Sequence, residues 1–370
     1  MKKIVSLVLA LLCALTPLAF SSCGSSNATL AEPRAEYTRE FEGQTLNVFN
    51  WGVYISDGSE GSFDVNKAFE NLTGIKVNYT TYESNEAMYA KMKSGAVSYD
   101  VVFPSDYMIE RMIKEDMLAK LDMTKLTNYD LIDPKYKDLF FDPNNEYSVP
   151  YSYGMVGLIY NTTMVEGTPD SWEIMWDEKY ADNILTFNNP RDAFGIAQFL
   201  LGLDVNSTDK STWDAAADKL KEQNKVLQAR VMDEVFNKME GGNAAIAPYY
   251  AGDFLTMQEN NEDLAFVYPK EGTNIFIDSI CVPKNAQNYD AAMLYLNFLM
   301  EPEVALANAE YIYYGCPNTA VVNNPEYSLY GDEIVYPSEE DMPIVEYFHD
   351  IDPEIRSYYE KLWDSVLLAD

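Results

Sequence analysis

The chain predicts an α/β protein organised as more than one lobe. Its 370 residues are more than one compact core usually organises. Short apolar runs of β-forming residues alternate with segments whose apolar residues recur every three or four positions. Hydrophobic residues at 47%, aromatics at 14% among them, supply real cores despite 59 acidic against 26 basic side chains.

The elements follow in order. Residues 46–51 read as a strand, and Val65, Phe69 and Leu72 mark a helix that stops at Gly74. Residues 75–79 alternate as a second strand, completing a βαβ unit. Residues 100–103 form a short apolar strand ending at Pro104, after which Ile109, Met112, Ile113 and Met117 line one helix face, capped by Ser105 or Asp106. The middle predicts a strand at 184–187, helices at 192–201, 212–227 and 233–240, a strand at 244–249, a helix at 252–259, and strands at 264–268 and 275–282. Helices near 290–300 and 303–311, a Pro/Asn-rich stretch at 317–337 and a last helix near 353–368 complete the chain. Strands separated by helices predict mainly parallel sheets.

A formal charge of −33 repels phosphate backbones and anionic lipid heads, which excludes nucleic acid as a partner. The single histidine, His349, removes most triads and zinc sites. No P-loop, dinucleotide turn, EF-hand loop, nucleophile elbow or CxxC is present, so the sequence predicts no catalytic residue, no metal and no cofactor.

Lys2 and Lys3 precede an apolar run from Ile4 to Phe20 that meets Ser21, Ser22, Cys23 and Gly24. This reads as an export signal over 1–22 of the lipoprotein type, with Cys23 as the lipidated N-terminus and 23–43 as a flexible tether. The expected location is the periplasm or the outer face of the cytoplasmic membrane, the membrane being met only through that anchor. Cys13 leaves with the signal; Cys281 and Cys316 read equally as a disulfide or as two buried thiols.

Ligands in open α/β sheets lie off the carboxyl ends of strands. Here those ends carry Asn50, Trp51 and Tyr54, then Ser105, Asp106 and Tyr107, then Asn189 and Asp192, then Tyr249, Tyr250 and Asp253, then Phe276 and Asp278, with Tyr311, Tyr313 and Tyr314 following a helix. Asp192 and Asp253 stand at helix starts, where capping alone explains a single Asp, and each aromatic taken alone reads as core. Their co-occurrence at successive strand ends points to a site for an organic cation, since ring faces and carboxylates both favour an ammonium. Phenol pairs also offer ligands for ferric iron, and two cleft acids the minimum for a glycosidase; these readings rank below the first.

The runs Leu46-Asn47-Val48-Phe49-Asn50-Trp51, Tyr82-Glu83-Ser84-Asn85-Glu86, Tyr-Asp-Val-Val-Phe-Pro-Ser-Asp-Tyr at 99–107, Phe-Asp-Pro-Asn-Asn-Glu-Tyr-Ser-Val-Pro-Tyr at 141–151 and Pro-Lys-Glu-Gly at 269–272 resemble the spermidine/putrescine-binding proteins of bacterial ABC importers. The resemblance covers nearly all of 45–365. It implies a periplasmic-binding-protein-like (type II) fold, two α/β lobes with a ligand cleft between them: 44–153 with 278–322 as lobe 1, and 154–277 with 323–370 as lobe 2. It also implies a monomeric receptor rather than an enzyme, capturing putrescine or spermidine for an ABC permease.

The same resemblance places an aromatic box on Trp51, Tyr54, Tyr107, Tyr250, Phe276 and Tyr314, a polar contact on Ser105, and ammonium-binding acids on Asp192, Asp253 and Asp278. Asn189 stands where the spermidine binders have an acid, Tyr250 and Phe276 where they have tryptophans, and Phe348 where they have a polar amide. Asp106 is expected at the rim or as a cap.

Overall fold

The computed structural model describes residues 28–369, so the signal, Cys13 and Cys23 lie outside the described residues. The first lobe opens with β1 (Thr45–Trp51), α1 (Val65–Thr73), β2 (Lys76–Tyr82), α2 (Asn85–Lys93), β3 (Val101–Val102) and α3 (Asp106–Lys114). Asp64 caps α1 by accepting from Lys67 N, and Gly74, at φ 74, closes it in the left-handed region that suits glycine.

The chain then crosses on β4 (Ser148–Asn161) into the second lobe: β5 (Ile184–Phe187), α4 (Pro190–Leu201), α5 (Lys210–Gln223), β6 (Leu227–Val231), α6 (Glu234–Glu240), β7 (Ile246–Tyr250), α7 (Ala251–Asn260) and β8 (Leu264–Val267). It returns on β9 (Thr273–Cys281) to α8 (Tyr289–Leu299), α9 (Pro302–Ile312) and α10 (Thr319–Val322), and ends with β10 (Val345–Tyr347) and α11 (Pro353–Leu367).

One ten-stranded sheet runs through both lobes in the order β2-β1-β3-β9-β4-β7-β5-β6, with β10 on β9 and β8 on β4. The outer strands are parallel, as expected from βαβ units. The middle is not: β9 against β3, and β4 against β9, β7 and β8, are all antiparallel, which corrects the mainly parallel expectation. The reason is β4, whose residues 148–155 pair with β9 and whose residues 156–161 pair with β7 and β8. One outgoing and one returning strand therefore join the lobes side by side.

Strand β4 is absent from the sequence prediction because it is buried along nearly its whole length and shows no alternation. Its Pro150, Gly154 and Gly157 also read as breakers, yet a Cβ on Gly157 would stand 2.0 Å from the Phe266 ring. Strand β6 is likewise absent from the sequence prediction, which carries the preceding helix to 227 although it ends at Gln223.

Two large cores flank the crossing. The first draws on 30–153 and 277–304, the second on 156–264 and 348–366. The stretch expected as a tether is, from Ala28 on, docked on the first core: Ala28 and Leu30 are buried and Arg34 pairs with Asp130 at 2.6 Å. Glu301, 1% exposed, is the clasp, accepting from Arg34 N (2.7 Å), Ala35 N (2.9 Å), the Tyr37 hydroxyl (2.7 Å) and Asn128 Nδ2 (2.9 Å). Replacing Glu301 by Ala orphans these donors and is expected to cost about 3 kcal/mol in urea unfolding, with earlier proteolysis within 28–43. Cys281 and Cys316 are both buried free thiols.

Candidate ligand cleft

The crossing strands form the floor of a cleft of about 390 Å³, and the structure brings all eleven expected ligand residues to its wall. On the first lobe, the turn after β1 supplies Trp51 and Tyr54, and the start of α3 supplies Ser105 and Tyr107. Trp51 Nε1 donates to Phe103 O at 2.8 Å, and Ser105 and Asn85 exchange hydrogen bonds, so both walls are braced from behind. Between them Val53 sits at φ 49 and 76% exposed. A β-branched residue in the left-handed region is strained, and the turn that aims Trp51 and Tyr54 into the cleft contains that strain.

On the second lobe, Asn189 caps α4 and Asp192 stands in its first turn; Tyr250 ends β7 and Asp253 stands in the first turn of α7. The floor gives Phe276 and Asp278 from β9, and Tyr314 follows α9. The rings close a box: Tyr54 to Tyr314 at 5.6 Å, Tyr250 to Phe276 at 5.4 Å and Phe276 to Tyr314 at 6.0 Å, all edge-to-face. Phe276 fits because β4 offers Gly154 beneath it, where a Cβ would stand 2.7 Å from the ring.

Each of the three acids holds a phenol. Tyr54 donates to Asp278 at 2.6 Å, Tyr250 to Asp192 at 2.9 Å and Tyr314 to Asp253 at 2.8 Å. Burial pushes all three carboxyls above their ordinary 3.8: Asp278 to about 6, with the Ser105 and Tyr54 hydroxyls opposing; Asp192 to about 7, with Tyr250 opposing; Asp253 to about 7, with Tyr314 opposing and Asp233 adding. Asp278 Oδ1 is buried and has no donor in hydrogen-bond geometry, the Ser105 hydroxyl lying near the carboxyl but outside that geometry. The site is thus an apolar box with carboxylates that lack a full complement of donors, which is chemistry for an ammonium ion.

Several lining residues were not foreseen. Glu83 and Asp233 stand at the mouth on opposite lobes, and Arg191 lies 2% exposed beside Asp192. Asp233 follows β6, so the rule that found the other acids would have reached it had that strand been recognised. Tyr249 also lines the cleft but is 3% exposed and stacked on Phe187, leaving Tyr250 as the partner of Asp192. Asp106 is not at the rim: it is fully buried, with Oδ1 accepting from Tyr107 N at 2.7 Å and Oδ2 from Ile277 N at 3.1 Å, tying the start of α3 to a crossing strand. Phe348 is buried on Gly195 and on the Arg191 guanidinium at 4.1 Å.

Residues 65–332 match the model of the bacterial extracellular solute-binding proteins. The chain belongs to that family. A fellow solute-binding protein, the spermidine/putrescine-binding periplasmic protein of Salmonella typhimurium, is 35% identical across 87% of this chain and 92% of its own. Among solved solute-binding proteins, the spermidine/putrescine ABC transporter substrate-binding protein of Streptococcus pneumoniae is 36% identical with a TM-score of 0.74, covering 88% of this chain and 99% of that one. A lipoprotein of Treponema pallidum is 26% identical with a TM-score of 0.75, over 87% and 99%. As a solute-binding protein of an extracellular family, the chain works outside the cytoplasm and binds its solute in the two-lobed fold expected. Among the described residues no helix is long and apolar enough to cross a membrane.

Proposed function

We propose that this protein captures a small aliphatic polyamine, putrescine or spermidine, and presents it to the permease of an ABC importer, held at the membrane through lipidated Cys23 and performing no chemistry on its ligand. The observation that carries the reading is the trio of buried, tyrosine-paired carboxyls around an aromatic box, above all Asp278 with an unused oxygen. The names of the relatives at 35% and 36% identity point the same way. An ammonium completes a carboxylate, methylenes lie against rings, and a neutral sugar leaves the acids unpaired while an anion is repelled. Ligand touching both lobes favours their closed arrangement, the surface a permease reads. Ferric iron finds no support: Tyr250 and Tyr314 hydroxyls are spent on carboxylates, and burial drives both phenols well above their ordinary value, away from phenolate.

Amine binding is expected to depend on pH with a definite sign. Free carboxyls held at about 6 and about 7 keep their protons to near neutrality, and an arriving ammonium displaces them. Affinity therefore falls as pH drops from 8 toward 5, by about tenfold per pH unit for each proton released. The free protein behaves oppositely. A carboxyl raised above its unfolded value favours the fold below 3.8, and that advantage is lost as pH rises to about 7. Thermal melts should show a ligand-induced rise in Tm that is larger at pH 8 than at pH 5.5; an equal rise at both values contradicts the electrostatic reading.

A further inference from the structure

The three cleft carboxyls are unequal acceptors. Asp278 gives Oδ2 to Tyr54 and leaves Oδ1 with no donor in hydrogen-bond geometry, the Ser105 hydroxyl being near the carboxyl but outside it. Asp253 receives one side-chain donor, the Tyr314 hydroxyl at 2.8 Å. Asp192 receives two on the same oxygen: Asn189 Nδ2 at 2.6 Å and the Tyr250 hydroxyl at 2.9 Å. A fixed cation also lies beside it, for the Arg191 guanidinium is held by Val205 O at 2.8 Å and Asn206 Oδ1 at 2.8 Å and cannot swing out to solvent. The amide and the Tyr250 hydroxyl thus fill Asp192 Oδ2 before any ligand arrives, and the guanidinium, whose hydrogen bonds go to Val205 and Asn206, adds a nearby positive charge that opposes a further cation at that end.

We infer that the cleft holds two full ammonium seats, Asp278 and Asp253, with Asp192 a positioning residue for the Tyr250 ring, and that it selects an aliphatic diamine over a triamine. The inference rests on the amine-binding reading above. The third ammonium of a triamine meets either Asp192, whose Oδ2 already has two donors and which faces the fixed Arg191 charge, or the mouth. There Glu83 is exposed and its attraction screened, and partial burial and the Glu83 charge push the Asp233 carboxyl up. Asn189 is then the specificity determinant, because its amide, rather than its capping oxygen, fills Asp192.

Calorimetric titration of the purified protein with putrescine and spermidine tests this, with Asp192→Asn, Asp253→Asn and Asn189→Ser beside the wild type and a melt for each to confirm folding. Serine keeps a capping oxygen and removes the amide donor. The expected results are putrescine binding at least as tightly as spermidine, an Asp192→Asn loss for putrescine of less than about tenfold, a larger loss for Asp253→Asn, and a shift of the affinity ratio toward spermidine by about fivefold or more in Asn189→Ser. Spermidine bound more than tenfold tighter by the wild type, equal losses in the two Asp variants, or an unmoved ratio in Asn189→Ser overturns the inference while leaving the amine reading intact. Failure of both amines to bind removes the parent reading instead.

Discussion

Asp278→Asn is expected to lower amine affinity by about 100-fold or more while leaving the ligand-free protein as stable as before. Removing one partner of a buried charge pair costs about 3–5 kcal/mol, because the other charge stays buried and unmatched, and each 1.4 kcal/mol is a factor of ten. Asp278 is 3% exposed, so little water reaches a bound ammonium there. In the free protein the sign reverses: burial holds this carboxyl at about 6, so at pH 8 its ionised form is a burden on folding that a neutral amide relieves. Calorimetry and a thermal melt at pH 8 should show collapsed affinity with Tm unchanged or raised. Lost affinity accompanied by a lower Tm would mean that Asp278 is structural. Asp106 supplies the contrast, since its two oxygens serve two backbone amides and an Asn there turns one acceptor into a donor; Asp106→Asn should lower Tm.

The second large effect is steric. Gly252, in the first turn of α7 beside Asp253, faces the Tyr314 ring so closely that a Cβ would stand 1.8 Å from its Cδ1 and 2.8 Å from Tyr313 O. Gly252→Ala must push that ring away, breaking the hydrogen bond to Asp253 and opening the box at its contacts with Tyr54 and Phe276. A fall in Tm together with an affinity loss of about 30-fold or more is expected, consistent with overpacking costs of about 1–3 kcal/mol and a lost ring contact. Tyr314→Ala relieves most of the clash but empties a buried ring site, so its cost should be smaller in the Gly252→Ala background than in the wild type, with amine affinity weak in both. If the two Tm losses simply add, the clash is not the cause.

Much of this was legible in the sequence, for identifiable reasons. Elements with one buried face declared themselves: α1 by Val65 and Phe69, α3 by Ile109 and Met112. The site was largely legible because strand ends in α/β folds are short and polar, so Trp51, Asp192 and Asp253 stood out there, whereas Asp278 lies inside β9, on the crossing strands that floor the cleft. What was lost is what lacks a period. Strand β4, buried through most of its fourteen residues, carried no alternation, and without it the antiparallel centre of the sheet could not be foreseen. Asp106 was misplaced because a cap and a buried tie between elements look alike in one dimension; only its bond to Ile277, 171 residues away, separates them. The strap at 28–43 has a tether's composition, and it docks because Glu301, far along the chain, collects its backbone amides.

That this cleft binds an amine through buried carboxylates is tested by calorimetric titration of the purified protein at pH 8 and low salt with putrescine, cadaverine, spermidine and spermine. The expected result is saturable one-to-one binding, micromolar or tighter, for at least one of them, accompanied by proton release to the buffer near pH 7. Binding no tighter than millimolar for all four would contradict it.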